Sequence, residues 1–293
     1  MIDRTLSRRI FNVLNTTFFI SYCVICLVPL IYILAMSLST SASVSAGKVA
    51  LWPVDFTLKS YEYVINKAEF WRGISISGIR VVLGVAVNMV MTIIAAFPLS
   101  KTTKEFKAKN IFVWFFIFTI LFSGGMIPTY MVVRYTGLLN SIWALIIPGA
   151  VPVFNVILLM NFFRAVPKEL EESAFIDGAG YYTVLTKIFL PVSLPALATL
   201  VVFTMVNHWN SWFDGMIYMS DARNYPLQTY LQSILVSTNV KLMTKAQAEL
   251  LRLISDRTLK AAQVFIAAIP ILMVYPFLQK YFVAGMTMGS VKE

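Results

Sequence analysis

The chain has 293 residues, 58% of them hydrophobic and only 13% charged, with a mean hydropathy of +0.75. About a quarter of an ordinary soluble domain is charged, and an aromatic content of 14% excludes a solvated, disordered chain. The net charge of +10, from 24 Lys+Arg against 14 Asp+Glu, would suit nucleic-acid binding in a soluble protein, but the hydropathy points to a membrane instead.

A helix needs roughly 20 apolar residues to cross the hydrocarbon core of a bilayer. In chain order, uncharged apolar tracts predict spans at about residues 17–38, 81–100, 111–133, 141–163, 188–209 and 261–279. The expected fold class is therefore all-α: a polytopic membrane protein with six transmembrane helices, residues 1–293 forming a single transmembrane domain. The first tract is followed by Ser39–Ala46, which resembles a signal-peptidase site. That tract is too long for a signal sequence and five more follow, so it reads as a retained helix. Arg4, Arg8 and Arg9 precede the first span, and Lys101, Lys104, Lys107 and Lys109 lie between the second and third. Cytoplasmic loops carry the excess of Lys and Arg. Both termini and residues 164–187 are then expected in the cytoplasm, and residues 39–80 and 214–260 outside. On this topology twelve of the 24 Lys+Arg fall on each side, which leaves no one-sided basic patch and no nucleic-acid partner.

Enzymatic readings lack material. One histidine, His208, cannot build a histidine metal site or a hydrolytic triad. Cys23 and Cys26 form a C-x-x-C inside an apolar tract rather than after a strand, where they read as small apolar residues. There is no G-x-x-x-x-G-K-[ST] phosphate loop, so ATP is not bound in that way. No catalytic, metal or cofactor-binding residue is assigned to this chain. No Asp or Glu lies inside a predicted span, whereas ion-coupled carriers keep such a residue near mid-membrane. A stand-alone carrier or channel for a small polar solute is thus the weaker of two transport readings.

The segment 167–191 carries the more informative pattern. Pro167 suits the start of a helix, and Glu169, Glu171 and Glu172 follow where the positive end of the helix dipole favours them. Asp177-Gly178 supplies a turn, because glycine accepts positive φ. A second helix is predicted from about Tyr181 toward Leu190, with Pro191 opening the fifth span. The spacing reads Glu172-Ser173-Ala174, three residues, Gly178, nine residues, Ile188, Phe189, Leu190-Pro191. It resembles the EAA loop of binding-protein-dependent ABC importer permeases, with Ser173 in place of the first alanine. The stretch His208–Phe213, the triplet Tyr225-Pro226-Leu227 and the tail 279–292 are similar to the carbohydrate-uptake branch, including the MalG subunit of the maltose importer. Within it the chain looks most like the LplC/YtcP-like permeases, which include relatives from alginate and other oligosaccharide importers.

That resemblance implies a division of labour. The helix around Glu172–Asp177 would be a coupling helix docking on a separate cytoplasmic ATPase subunit. Glu172 would offer a carboxylate, Ser173 and Ala174 a shallow face, Asp177 and Gly178 the bend, and Ile188, Leu190 and Pro191 an anchor to the fifth span. It also implies a second permease subunit in a heterodimer, two ATPase copies carrying ATP and Mg, and an external or periplasmic sugar-binding protein that meets the outer loop 214–260. The setting would be the bacterial inner membrane. The substrate would be an oligosaccharide or polysaccharide, and both an anionic one such as alginate and a neutral one fit. For the substrate path, Asn88, Asn155, Asn207 and Trp209 have the amide and aromatic groups that bind sugars. Amides within spans also hydrogen-bond between helices and tryptophans gather at the membrane interface, so both readings stand.

Overall fold

Inside hydrocarbon every backbone N–H and C=O needs a partner within the protein, which leaves helices and closed barrels as the spanning structures. The computed structural model describes residues 6–236, 257–270 and 272–273, and these are overwhelmingly helical. Among the described residues, the strand-like pairing is confined to an isolated bridge between Ser39 and Phe56. The chain forms two compact units: residues 1–70 with 234–269, and residues 71–233 with 270–293.

In the first unit, helix α1 (Leu6–Ser37) runs for 32 residues and presents Phe11, Phe18 and Ile25 outward, the last 69% exposed. Apolar exposure along a whole helix is untenable in water and natural against lipid. Cys23 and Cys26 are exposed free thiols on it. Two short helices follow, α2 (Ser41–Ser45) and α3 (Lys59–Ile65). They are tied down by small polar side chains: Ser43 Oγ donates to Asp55 Oδ2 at 2.6 Å, the Val54 N–H donates to Ser39 Oγ at 3.0 Å, and the Ser37 and Tyr61 hydroxyls meet at 2.7 Å. Residues 257–269 are helical, and so are 270 and 272–273, which belong to the second unit. The remainder of the expected sixth span, the tail 279–292 and residues 237–256 of the outer loop lie outside the described residues.

The second unit begins within helix α4 (Ala68–Ser100), 33 residues long. It starts well before the predicted residue 81 because the charge of Arg80 does not end the helix but is buried in it, 2% exposed. Arg80 forms an ion pair with Asp214 and donates further to the carbonyls of Ser211 at 3.2 Å and Leu145 at 3.4 Å. The expected third span is broken. Helices α5 (Lys109–Leu121) and α6 (Met126–Tyr135) are bent by 116°. The chain turns at Gly125, whose φ is +84°, and Pro128 sits in the first turn of α6, where its missing N–H is harmless. The fourth span opens as 3-10 turns at Ile142–Leu145 and Ile147–Gly149. It then bends by 51° into α7 (Val153–Arg164), with Pro148 and Pro152 at the breaks.

Beyond α7 come α8 (Lys168–Ile176), α9 (Tyr181–Val184), a π-helical turn (Leu185–Phe189) and α10 (Leu190–Val192). The residues 181–192 then bend by 80° into α11 (Leu194–Asn210). The expected fifth span therefore divides at Ser193, two residues later than Pro191 suggested. Leu190 N–H reaches back to the Leu185 carbonyl, a π-type bond that lets the helix continue through Pro191. Helices α12 (Phe213–Tyr218) and α13 (Leu227–Val236) complete the described unit. Among the described residues, two helices are long and apolar enough to cross a membrane unaided, and the three bent pairs would raise that to five.

The core of this unit draws Phe97 and Leu99 from α4, Leu159 and Phe163 from α7, Val184 and Phe189 from the 181–192 segment, and Leu200 from α11. Helices α4 and α11 approach closely where Gly84 faces His208, and a Cβ at Gly84 would overlap the imidazole ring. Overpacking such a site costs about 1–3 kcal/mol. Gly84→Ala should thus lower the melting temperature of the detergent-solubilised protein, and an unchanged value would show that the helices are not held this tightly.

Candidate functional site

Helix α8 projects a short, amphipathic turn from the second unit. Pro167 stands at its N-cap rather than inside its first turn, followed by Glu169 and Glu171 in the first turn. Its other end closes as a Schellman motif: the Ala179 N–H bonds the Ala174 carbonyl at 2.9 Å and the Gly178 N–H bonds that of Phe175 at 3.0 Å. That closure needs a left-handed residue, and Gly178 supplies it at φ +80°. Asp177 is the C-cap and is exposed.

The faces of α8 divide clearly. Glu172, Ser173, Phe175 and Ile176 are exposed, Ile176 to 87%, and Tyr182 just beyond is 79% exposed. Ala174 and Ala179 are partly buried against the core, so the small side chain at 174 allows α8 to approach the bundle rather than shaping the outer face. Ile188 and Leu190 are partly buried against the same core, Pro191 is exposed, and the residue between them, Phe189, is buried at 3% exposure. Sequence reading passed over Phe189, although its place inside the motif was a signal.

Lys101, the residue immediately after α4, was read from sequence only as an orientation signal. Its ammonium lies 4.3 Å from the centroid of the Phe97 ring and 4.1 Å from that of Phe189, and donates to Glu171 Oε1 at 2.5 Å. Lys101 is 7% exposed and Glu171 13%. Removing one partner of a buried pair costs about 3–5 kcal/mol. Phe97, Phe163 and Phe189 pack edge to face in a mutual triad, with centroids 5.2–6.2 Å apart. The link after Lys101 is held by Glu105, whose Oε2 accepts from both the N–H and the hydroxyl of Thr102 at 2.7 Å. These bonds hold its carboxyl below the usual range. Lys109 donates to the Lys101 carbonyl. A cleft of about 430 Å³ lies here, bordered by Lys101, Lys109, Arg164, Glu171 and Glu172 among others.

The candidate substrate-path residues differ in burial and in partners. Asn88 is buried; its amide donates to the carbonyls of Gly149 at 2.6 Å and Ala150 at 3.0 Å, and its oxygen meets His208 Nε2 at 2.6 Å. Asn155 is buried and donates to the Thr204 hydroxyl at 3.1 Å. Both amides therefore join helices. Asn207 is exposed and Trp209 half-buried on α11. No group of three or more metal-ligating side chains occurs among the described residues.

Long and broken apolar helices beside one short, largely exposed helix are the architecture of a membrane protein. No family model matches the chain. It is 41% identical to Protein LplC of Bacillus subtilis (strain 168), over 98% of this chain and 97% of the relative. It is 37% identical to the polygalacturonan/rhamnogalacturonan transport system permease protein YtcP of the same organism, over 98% of this chain and all of the relative. Among solved structures, a chain of a bacterial ABC transporter involved in the import of the acidic polysaccharide alginate superposes with a TM-score of 0.86 at 32% identity, covering 96% of this chain and 100% of that one. The chain belongs to the sugar permease family of ABC importers. It is a transporter subunit and an integral membrane protein.

The α8 cap yields a local prediction. Nothing lies within 4 Å of a Cβ built on Gly178, so the penalty of Gly178→Ala is the backbone's own, about 1–2 kcal/mol. Amide exchange at Ala179 should rise roughly 5–30-fold with the global melt unchanged. Protection equal to wild type would show that the left-handed cap is not what holds the turn.

Proposed function

We propose that this permease couples ATP hydrolysis on two separate cytoplasmic ATPase subunits, which hold the ATP and Mg, to alternating-access uptake of an oligosaccharide. The observation that carries the coupling reading is α8 itself: a nine-residue helix with no buried side chain, an exposed apolar edge at Phe175 and Ile176, and an exposed carboxylate at Glu172. Exposed apolar groups of this size mark an interaction surface. In this reading α8 is the coupling helix of an EAA loop spanning residues 167–191, and Glu172 pairs with a basic residue of the ATPase. The Gly178 cap and the buried Phe189 hold the loop to the bundle.

The same reading assigns six spans, both termini in the cytoplasm of a bacterium, and a second permease subunit as heterodimer partner. An external or periplasmic binding protein would deliver the sugar to the outer segment 214–260. An acidic oligosaccharide is the preferred cargo, supported by the names of two similar transporters, for polygalacturonan/rhamnogalacturonan and for alginate. A ligand screen on the cognate binding protein tests this: uronate oligomers should bind, and selective binding of neutral sugars would reject it.

Replacing Ile176 by Glu removes an apolar contact worth about 1.5–3 kcal/mol when buried. Glu172→Ala removes a charge-assisted hydrogen bond worth about 1.5–3 kcal/mol. Each should reduce ATPase subunits co-purifying with the permease about tenfold or more, while pairing with the second permease persists. Undiminished co-purification of both variants would show that α8 is not the docking helix. Gly178→Asp should abolish uptake in an assembled complex, and wild-type uptake would count against the loop as transmitter.

A further inference from the structure

Helix α8 contributes no buried residue; its apolar contacts are small Ala174 against the core and the exposed Phe175 edge to face with Tyr181, centroids 5.1 Å apart. A helix held so lightly could shift over the bundle surface without moving the helices beneath. The nearly buried contact that opposes such slippage is Lys101 with Glu171, and neither residue belongs to the Glu172-Ser173-Ala174 motif. We infer that Lys101 is a positioning residue that makes α8 move as one body with the adjoining end of α4 and the 181–192 segment. An ammonium has three N–H donors. Here one direction is taken by Glu171 Oε1 at 2.5 Å, and the faces of Phe97 and Phe189 lie 4.3 and 4.1 Å from the nitrogen. Phe97 belongs to α4 and Phe189 to the π-helical turn that leads toward α11.

The cation therefore grips three elements at once, and displacing α8 alone would strip a nearly buried charge of its counter-ion. The adjoining cleft of about 430 Å³ leaves space beside the contact, so the tie is this side-chain cluster rather than close packing all round. The edge-to-face triad with Phe163 extends the grip to α7. A push on α8 thus reaches α4, α7 and the 181–192 segment together through Lys101.

This inference rests on the reading of α8 as the ATPase-facing helix. The test uses the whole reconstituted importer with Lys101→Met, Glu171→Gln and the two combined. The measurements are co-purified ATPase, basal ATP hydrolysis, hydrolysis stimulated by the loaded binding protein, and sugar taken up per ATP. The combined variant leaves no unpaired buried charge and should recover a near-wild-type melting temperature. It should nevertheless lose at least tenfold in uptake per ATP, with ATPase binding and basal hydrolysis retained. Lys101→Arg, which keeps a cation against the rings, should restore at least half of the coupling. Wild-type uptake per ATP in the combined variant would overturn the inference, as would an Arg variant no better than Met. Failure of the docking reading has a different signature, full ATPase retention by Ile176→Glu and Glu172→Ala.

Discussion

A lysine ammonium held against two touching phenylalanine rings, its charge met by one carboxylate, is the contact on which the second unit's exposed helix depends. Its strength comes from its surroundings. Beside water such a pair is worth little. With Lys101 only 7% exposed and bonded to Glu171, the position of Glu171, and with it α8, follows the rings. Those rings in turn belong to the core that unites α4, α7 and the 181–192 segment. Apolar packing builds the platform, and one ion pair fastens the exposed helix to it.

The same logic governs several other polar groups buried in this unit. Arg80 pairs with Asp214, Asn88 with His208 and the carbonyls at 149 and 150, and Asn155 with Thr204. In a low-dielectric interior an unpaired polar group is costly, so each such side chain joins elements distant in the chain. The interrupted helices belong to this pattern too. Where the backbone departs from α geometry, at Gly125, Pro148, Pro152 and Ser193, turns, 3-10 segments and a π turn take up the freed groups, as membrane helices require.

Much of this was legible in the sequence, and the exceptions share a cause. Apolar tracts located the helical segments because hydropathy is a local property. The α8 boundaries and the Asp177-Gly178 turn were legible as well, since caps and left-handed positions are set by neighbouring residues. Individual breaks were not. Gly124-Gly125 was a visible signal for the turn after α5, but an uncharged tract of suitable length concealed it. The partnerships of Lys101 with Glu171, 70 positions apart, and of Arg80 with Asp214, 134 apart, have no periodicity that could announce them. For the same reason the partners of Asn88 and Asn155, sugar or helix, could not be read from the sequence.

The close approach at Gly84 also sets proportions. At Gly84 only the His208 ring stands between α4 and α11, so the crossing would act as a fulcrum. At 1.5 Å per residue, Phe97 lies about 20 Å along α4 from that fulcrum and Arg80 about 6 Å on its other side. Any tilt of α4 about Gly84 would be geared down roughly threefold between the two, the geometric ratio of those arms. A broad stroke at the phenylalanine triad would arrive at the Arg80–Asp214 pair as a small one, on the scale of a single hydrogen bond made or broken.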